Sequence, residues 1–367
     1  MDRIVFVIDS MGRGGAERVT SLLANTLAEK GKTVSIIALE KADSEYELDD
    51  RIRLSYYRTH NRVHGLSYIE YVKGLGALIR EEAPDIVISL AVAKTNILLA
   101  MSLVFDNVKV VFSERNNPYT YPNDKKIRMI RDYIYNFADL IVFQTEDAQK
   151  YFSKNIQKKS CIIPNPVKKD LPYKNFDEKP EKRIVDFCRL DYQKNLPLLI
   201  NAMTRIHKSF PEYTLVIYGE GYLKDELNKM IAERGADKYI AIEPFTNDIH
   251  TIMKKSALYV SSSDFEGISN SMLEAMAIGL PCICTDCPIG GARMVIEDKV
   301  NGLLVPTQNE DRMVEAIDYA LRNYEQSIAR AKKATEIRKR FSEEIIVDKW
   351  LTEIENRLKR ESKSYEK

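Results

Sequence analysis

The stretch "ALYVSSSDFEGISNSMLEAMAIGLPCICTD", residues 257–286, carries the pattern on which the fold rests. "ALYVSS" and "PCICTD" are short apolar runs of strand length. Between them "DFEGIS" reads as a loop, and the segment from Asn270 or Ser271 reads as a helix that ends at Gly279, before Pro281. Strand, loop, helix, strand is the repeating unit of a parallel sheet. Ligands of such sheets bind at the carboxyl ends of the strands, so the loop after "ALYVSS" is where a site is sought. That loop and the helix after it hold two acids, Glu266 and Glu274, eight positions apart.

The same rhythm runs outward in both directions. Upstream, "RIVFVI", "TVSIIAL", "DIVISL", "VKVVFS", "DLIVFQ" and "CIIPNP" alternate with helical patterns. The first helix, Ala16 to Lys30, sets Val19, Leu22, Leu23 and Leu27 on one face and stops at Gly31. A stretch rich in proline and charge, "IPNPVKKDLPYKNFDEKPEK", interrupts the pattern. It then restarts with "RIVDFC", "YTLVIYG", "YIAIE", "ALYVSS", "PCICTD" and "GLLVP". An α/β protein of two doubly wound, Rossmann-like domains follows, with boundaries expected at 1–168 and 181–343. The closing segment "SEEIIVDKWLTEIENRLKR" places Ile345, Ile346, Trp350, Leu351 and Ile354 on one apolar stripe that some other surface must cover.

Composition narrows the function classes. A chain of 367 residues suits two domains of roughly 100–200 residues each. Lys plus Arg is 55 against 54 for Asp plus Glu, a balance that disfavours a dedicated nucleic-acid binder. The first apolar run is too short for a signal peptide and Asp2 precedes it, so a cytoplasmic location is expected. The most apolar stretch, Ile86 to Phe105, is broken by Lys94, Thr95 and Asn96, which fits a strand, a loop and a buried helix rather than a membrane span. Five cysteines, an odd number, fit reduced thiols. Cys282, Cys284 and Cys287 lie close together but lack a local fourth ligand, so no metal site is expected.

Three loops have the chemistry to meet an anion. "DSMGRGGAER" sets Gly12, Gly14 and Gly15 before the first helix, whose N-terminal amides favour phosphate or carboxylate. Glu17 stands where the dinucleotide fingerprint has its third glycine, which disfavours an NAD-dependent oxidoreductase. "CRLDYQKN" places Arg189 and Lys194 after the first strand of the second domain, where two cations can neutralise a diphosphate. Around Glu266, the amides of Gly267, Ile268 and Ser269 face a helix start, and two carboxylates can accept hydrogen bonds from sugar hydroxyls. The bland alternative for Glu274 is a capping box with Ser271, and for Glu266 it is plain exposure. Together the loops describe a site for a ligand that bears both phosphates and hydroxyls.

These residues resemble the retaining glycosyltransferases of family 4, which have the GT-B fold, two Rossmann-like domains facing across a cleft. The resemblance is carried by "GGAER" at 14–18, "IIPNPV" at 162–167, "RLDYQKN" at 189–195, Glu266 and Glu274 as the E-x7-E motif, and "NGLLVP" at 301–306. "CTDCPIGGAR" is similar to the subgroup that builds bacterial capsules, exopolysaccharides and lipid-linked oligosaccharides. The resemblance implies a nucleotide-sugar donor, UDP-linked by the lean of the subgroup, and a glycan or polyprenyl-linked acceptor, with no metal or other cofactor. It implies that Arg189 and Lys194 hold the donor diphosphate, Glu274 the ribose hydroxyls and Glu266 the transferred sugar. Gly267, Ile268 and Ser269 would meet sugar and phosphates, and Gly14 and Gly15 would close over them. It also implies that the final helix, about 344–362, crosses back to the first domain.

Two departures from the family pattern bear on the acceptor. In "FSERNNP", Arg115 stands where relatives often carry histidine, followed by Asn116, and none of His60, His64, His207 and His250 falls in that loop. Arginine can stabilise charge but cannot act as a base at neutral pH. The family's Gly-Pro-Arg-Glu is "GARM", so Ala292 and Met294 leave an acid role unfilled. Near it in function, the segment "DKKIRMIRDYIY" sets Lys125, Lys126, Arg128 and Arg131 beside apolar residues, a pattern for an anionic membrane surface or for a packed helix with a solvated basic face. Two alternatives keep the architecture. A GT-B-like nucleotide-sugar epimerase would need histidine and acid groups not placed here. A non-catalytic partner subunit would keep Arg189 and Lys194 without needing Glu266.

Overall fold

The computed structural model describes residues 1–12, 14–57 and 68–365, with side chains as far as 357. The chain divides into two compact units: Met1–Pro166 with Glu343–Lys367, and Val167–Ser342.

The first unit is built on a seven-stranded sheet of order β3-β2-β1-β4-β5-β6-β7, parallel throughout. Its strands are β1 (Arg3–Ile8), β2 (Thr33–Ala38), β3 (Arg53–Tyr56), β4 (Ile86–Ser89), β5 (Lys109–Glu114), β6 (Leu140–Phe143) and β7 (Ser160–Ile162). The central strands are apolar and buried along nearly their whole length because helices cover both faces. Strand order reverses between β1 and β4, the switch point at which doubly wound sheets open a crevice. Six of the strands match the runs read from sequence. The seventh, β3 with sequence RLSY, is a half-buried edge strand that needs no apolar run.

Helix Gly15–Glu29 follows β1 and ends before Gly31, whose φ of +79° suits glycine. It buries Val19, Leu23 and Leu27, whereas Leu22, expected on the same face, is only partly covered. Helix Glu343–Tyr365 packs against Gly15–Glu29 and belongs to this unit, with Ile346, Val347, Trp350 and Ile354 buried. Ile345, expected in that stripe, is instead exposed, and Val347 takes its place: the buried face is set by positions 346, 347, 350 and 354. The stretch 86–105 resolves into β4 and helix Ala93–Ser102, with Thr95 and Asn96 buried. Asn96 donates to the Tyr135 hydroxyl at 3.3 Å and Ser89 Oγ to Asn96 Oδ1 at 2.6 Å, so the polar break is internally satisfied. Among the described residues no helix is long and apolar enough to cross a membrane.

The second unit carries a six-stranded parallel sheet of order β10-β9-β8-β11-β12-β13. Its strands are β8 (Arg183–Phe187), β9 (Thr214–Tyr218), β10 (Ile240–Glu243), β11 (Leu258–Ser261), β12 (Cys282–Thr285) and β13 (Leu303–Val305), one for each run read from sequence. Its switch point lies between β8 and β11. The Pro-rich stretch read as a linker packs on this unit, where Lys174 Nζ donates to the carbonyls of Lys254 and Ser256 at 2.8 and 2.6 Å.

Ile354→Ala is expected to cost about 2–5 kcal/mol by removing a buried anchor of the last helix. The chain's single tryptophan lies on that helix, so its emission during denaturant unfolding measures the loss directly.

Candidate functional site

At the carboxyl end of β8 the chain passes through Cys188, Arg189 and Leu190 into a 3-10 turn, Tyr192–Lys194, and then through Asn195 at φ 43° into helix Leu196–Ile206. The left-handed residue turns the chain sharply and leaves Lys194 facing the neighbouring loop after β11. Backbone and side-chain bonds tie the two loops. Ser262 Oγ donates to the Lys194 and Asn195 carbonyls at 2.8 and 3.0 Å, the Asp264 amide donates to the Gln193 carbonyl at 2.9 Å, and Asn195 Nδ2 donates to Asp264 Oδ1 at 2.9 Å. Across this seam Lys194 Nζ reaches Glu266 Oε1 at 2.5 Å, and Ser263 Oγ donates to Glu266 Oε2 at 3.0 Å. Glu266 is therefore not the plainly exposed acid of the bland reading. Burial disfavours the Lys194 ammonium, but the adjoining Glu266 carboxylate outweighs it and holds the group above its ordinary range. Arg189 is exposed and pairs with Asp191 at 3.1 Å.

Helix Asn270–Ile278 is capped by Ser269, whose Oγ accepts from the Met272 amide at 3.3 Å. The bland alternative of a capping box between Ser271 and Glu274 does not hold: the cap lies two residues earlier, so the third helical position is Met272 and Glu274 is released from that role. Glu274 is buried, and its Oε2 meets His250 Nε2 at 3.3 Å. The loop Glu266–Ser269 is pressed against the segment 288–292. The Glu266 amide donates to the Pro288 carbonyl at 2.9 Å, and a Cβ at Gly291 would fall 1.8 Å from the Gly267 carbonyl oxygen. Ala292, Cys284, Cys287 and Met272 line a small hollow beside Glu266 with Ser261, Ser263 and Ser269. Cys282, Cys284 and Cys287 are buried free thiols, and burial pushes Cys287 up to about 12.

Beneath the Lys194–Glu266 pair sits an acid that the sequence did not mark. Asp186, on β8, is buried with Oδ2 lacking a hydrogen-bond partner. Burial pushes it up to about 6, against the pull of the Lys194 ammonium. Sequence offers one faint signal, an aspartate inside an otherwise apolar strand run.

In the first unit Gly14 caps helix Gly15–Glu29, and the Glu17 side chain folds over it so closely that a Cβ there would fall 2.0 Å from Glu17 Oε2. Arg115, at the end of β5, donates to Ser113 Oγ at 3.1 Å and to Asn165 Oδ1, which Gln144 also reaches at 2.6 Å. Asn116 holds the Asn117 amide through Oδ1 at 2.7 Å. Next to Arg115, Glu114 is buried, and burial pushes its carboxyl up against the opposing pull of Arg131. This overturns part of the lipid-facing set. Arg131 is wholly buried, bonding Glu114 Oε2 at 3.3 Å and the carbonyls of Pro118 and Tyr121 at 3.0 and 2.9 Å, and is unavailable to a membrane. Arg128 is turned onto the carbonyls of Pro122 and Asn123 at 2.6 and 2.9 Å. Helix Lys125–Ile134 instead exposes Lys125, Lys126, Met129, Ile130 and Tyr133.

Two family models match in tandem. Residues 13–171 match glycosyltransferase family 4, and residues 168–340 match the group 1 glycosyl transferases. The chain belongs to glycosyltransferase family 4. It is a transferase with the GT-B fold. An uncharacterized glycosyltransferase of Haemophilus influenzae is 27% identical over 95% of this chain and 99% of its own. The N-acetylgalactosamine-N,N'-diacetylbacillosaminyl-diphospho-undecaprenol 4-alpha-N-acetylgalactosaminyltransferase of Campylobacter jejuni is 28% identical over 86% of this chain and 89% of its own. Among solved structures, Anabaena Alr3699/HepE in complex with UDP-glucose superposes with a TM-score of 0.84 at 18% identity, covering 96% of this chain and 99% of that one.

Asp186 gives a pH signature of its own. Its folded value, about 6, lies above the ordinary 3.8, so the native state takes up a proton at higher pH than the unfolded chain. This group's contribution to stability therefore rises as pH falls from about 6 to 4, by at most about 3 kcal/mol, and its cost is fully present above pH 6. Asp186→Asn is expected to flatten that segment of the stability curve in urea titrations across pH. An unchanged slope in the variant would contradict the assignment.

Proposed function

We propose that this family 4 transferase moves a hexose or N-acetylhexosamine from a UDP-sugar to a polysaccharide or lipid-linked oligosaccharide acceptor, with retention of anomeric configuration and without metal. The observation that carries the reading is the 2.5 Å contact between Lys194 and Glu266 at the switch point of the second sheet, beside the Ser269-capped helix start. A lysine ammonium has three N–H donors. One reaches Glu266 and the others can take oxygens of the donor diphosphate, while exposed Arg189 supplies a second cation. Breaking the bond between the anomeric carbon and the diphosphate builds negative charge on the leaving group, and fixed cations with backbone amides stabilise it. Ser263 steadies Glu266 from its other oxygen, so the carboxylate can meet hydroxyls of the transferred sugar. Attack from the same face as departure keeps the configuration, with a donor phosphate oxygen taking the acceptor proton. Arg115 and Asn116 would serve the acceptor side by charge and hydrogen bonding. The relatives named for a diphospho-undecaprenol acceptor and the neighbour solved with UDP-glucose support the acceptor and donor classes.

We place the reaction at the cytoplasmic face of a membrane, with Lys125 and Lys126 against anionic headgroups and Met129, Ile130 and Tyr133 against the lipid boundary. Vesicle flotation is expected to carry the protein with anionic but not neutral lipid, and Lys125→Glu with Lys126→Glu to abolish it. A protein that stays in the soluble fraction with anionic vesicles would remove the membrane from the proposal.

The enzymatic test is a panel of UDP-, GDP- and dTDP-sugars followed by nucleoside diphosphate release. Turnover is expected with UDP-sugars. Lys194→Ala and Glu266→Ala should each lower it by about 10²–10³-fold, the size of one lost electrostatic contact in a transition state. Silence with every donor, lipid-linked acceptors included, would favour the binding-subunit alternative.

A further inference from the structure

Asp186 lies on β8, next to the loop that carries Lys194, and is only 1% exposed. Its Oδ1 accepts from the Phe187 amide at 2.8 Å, while Oδ2 has no hydrogen-bond partner among the described residues. A buried carboxylate oxygen without a donor costs a fold stability, and packing alone does not explain why an acid stands there. The groups around it fix what happens to its charge. Lys194 attracts it and Glu266 opposes it, and the Cys188 thiol after β8, the Tyr259 hydroxyl of β11 and the Cys284 thiol of β12 lie within reach of its charge. Two acids thus share the Lys194 ammonium, and Glu266 holds it directly at 2.5 Å. A diphosphate seated on Lys194 adds negative charge and draws the ammonium away from both acids. We infer that Asp186 is a positioning residue that acts through Lys194: it takes up a proton when the donor diphosphate binds, leaving the ammonium to Glu266 and the diphosphate. The proton comes from solvent and adds to the carboxyl, and no bond of the donor changes. Burial holds the unliganded carboxyl at about 6, so at neutral pH it is largely ionised and has a proton to gain. Added negative charge raises it further, so between the two values the complex holds more protons than the unliganded protein. Affinity is therefore greatest below about pH 6 and falls as pH rises through that interval. The inference rests on the reading of Lys194 as the diphosphate cation.

The test titrates the full-length protein with UDP-glucose and with UDP-N-acetylgalactosamine in a calorimeter, in buffers of different ionisation enthalpy. Both phosphates of these sugars are esterified, so the ligand lacks the terminal group that titrates near pH 6. For the native chain at about pH 7, the heat of binding should depend on the buffer, with a slope of up to about one proton taken up. Its affinity should fall above about pH 6, by at most about ten-fold per pH unit. Asp186→Asn, a neutral isostere, should bind without that uptake and lose the dependence on pH. Infrared difference spectra of the native protein should show a carboxylate band giving way to that of a protonated acid when the sugar nucleotide is added. An imidazole such as that of His250 gives no such band, and the measurement stands if thermal unfolding shows Asp186→Asn to be misfolded. Undiminished uptake in a folded Asp186→Asn, or no protonated-acid band in the native protein, would overturn the inference. The reading of Lys194 survives that result if Lys194→Ala loses donor binding. No binding of either sugar nucleotide, or native affinity in Lys194→Ala, would instead remove the reading of Lys194 itself.

Discussion

Lys194 and Glu266 come from loops 72 residues apart in sequence, and their 2.5 Å contact depends on β8 and β11 being neighbours. That adjacency exists only because the strand order reverses there, so each strand sends its following helix to a different side and the loops between them splay open. The remaining bonds at the seam then fix the register of the two loops. Ser262 holds the carbonyls on either side of the turn, Asn195 adopts the left-handed conformation, and Asp264 receives Asn195 Nδ2 while its amide bonds Gln193. On the other side of the Glu266 loop, Gly291 allows the backbones to approach where any side chain would collide. The geometry of the charged pair is thus overdetermined by neutral bonds, which is what a preorganised electrostatic site requires.

The electrostatics of this seam explain why Lys194 stays charged despite burial. Lys194 faces Glu266 directly and Asp186 from below, so the cation loses hydration but gains two acids. The acids share one cation, and the strain appears in the one that is deeper and less well bonded: Asp186 rises to about 6. Charge is thereby concentrated where Glu266 and Lys194 are, and a diphosphate entering beside Lys194 would compete with Glu266 for the ammonium.

Much of this was legible in the sequence, and what was not has identifiable causes. Buried parallel strands write themselves as apolar runs, so every strand but the edge strand β3 was visible. The spacing of Glu266 and Glu274 marked a loop acid and a helix acid correctly. Periodicity, however, gives the faces of a helix without saying which face is inward. The segment 125–134 read either as a basic surface for anionic lipid or as a packed helix with a solvated basic face, and both readings put Arg131 in the basic set. The buried Glu114 and the open carbonyls of Pro118 and Tyr121 draw Arg131 into the interior and leave Met129, Ile130 and Tyr133 facing out. The cap lies at Ser269 rather than at Asn270 or Ser271, a shift within a run of residues that all satisfy the local rule. Asp186 carried almost no signal, since its meaning comes from partners distant in sequence.

The two anion-ready helix starts also turn out to be unequal, for a reason internal to each. At Gly14 the first-turn acid Glu17 lies over the helix end, so its own carboxylate already complements the positive end of the dipole. A phosphate approaching that turn would meet a like charge. At Ser269 the cap is a neutral hydroxyl and the first turn holds no acid, with Glu274 buried beside His250. The field there is left to an incoming anion and is reinforced by Lys194. On the proposed reading, the diphosphate charge therefore falls chiefly on the second unit.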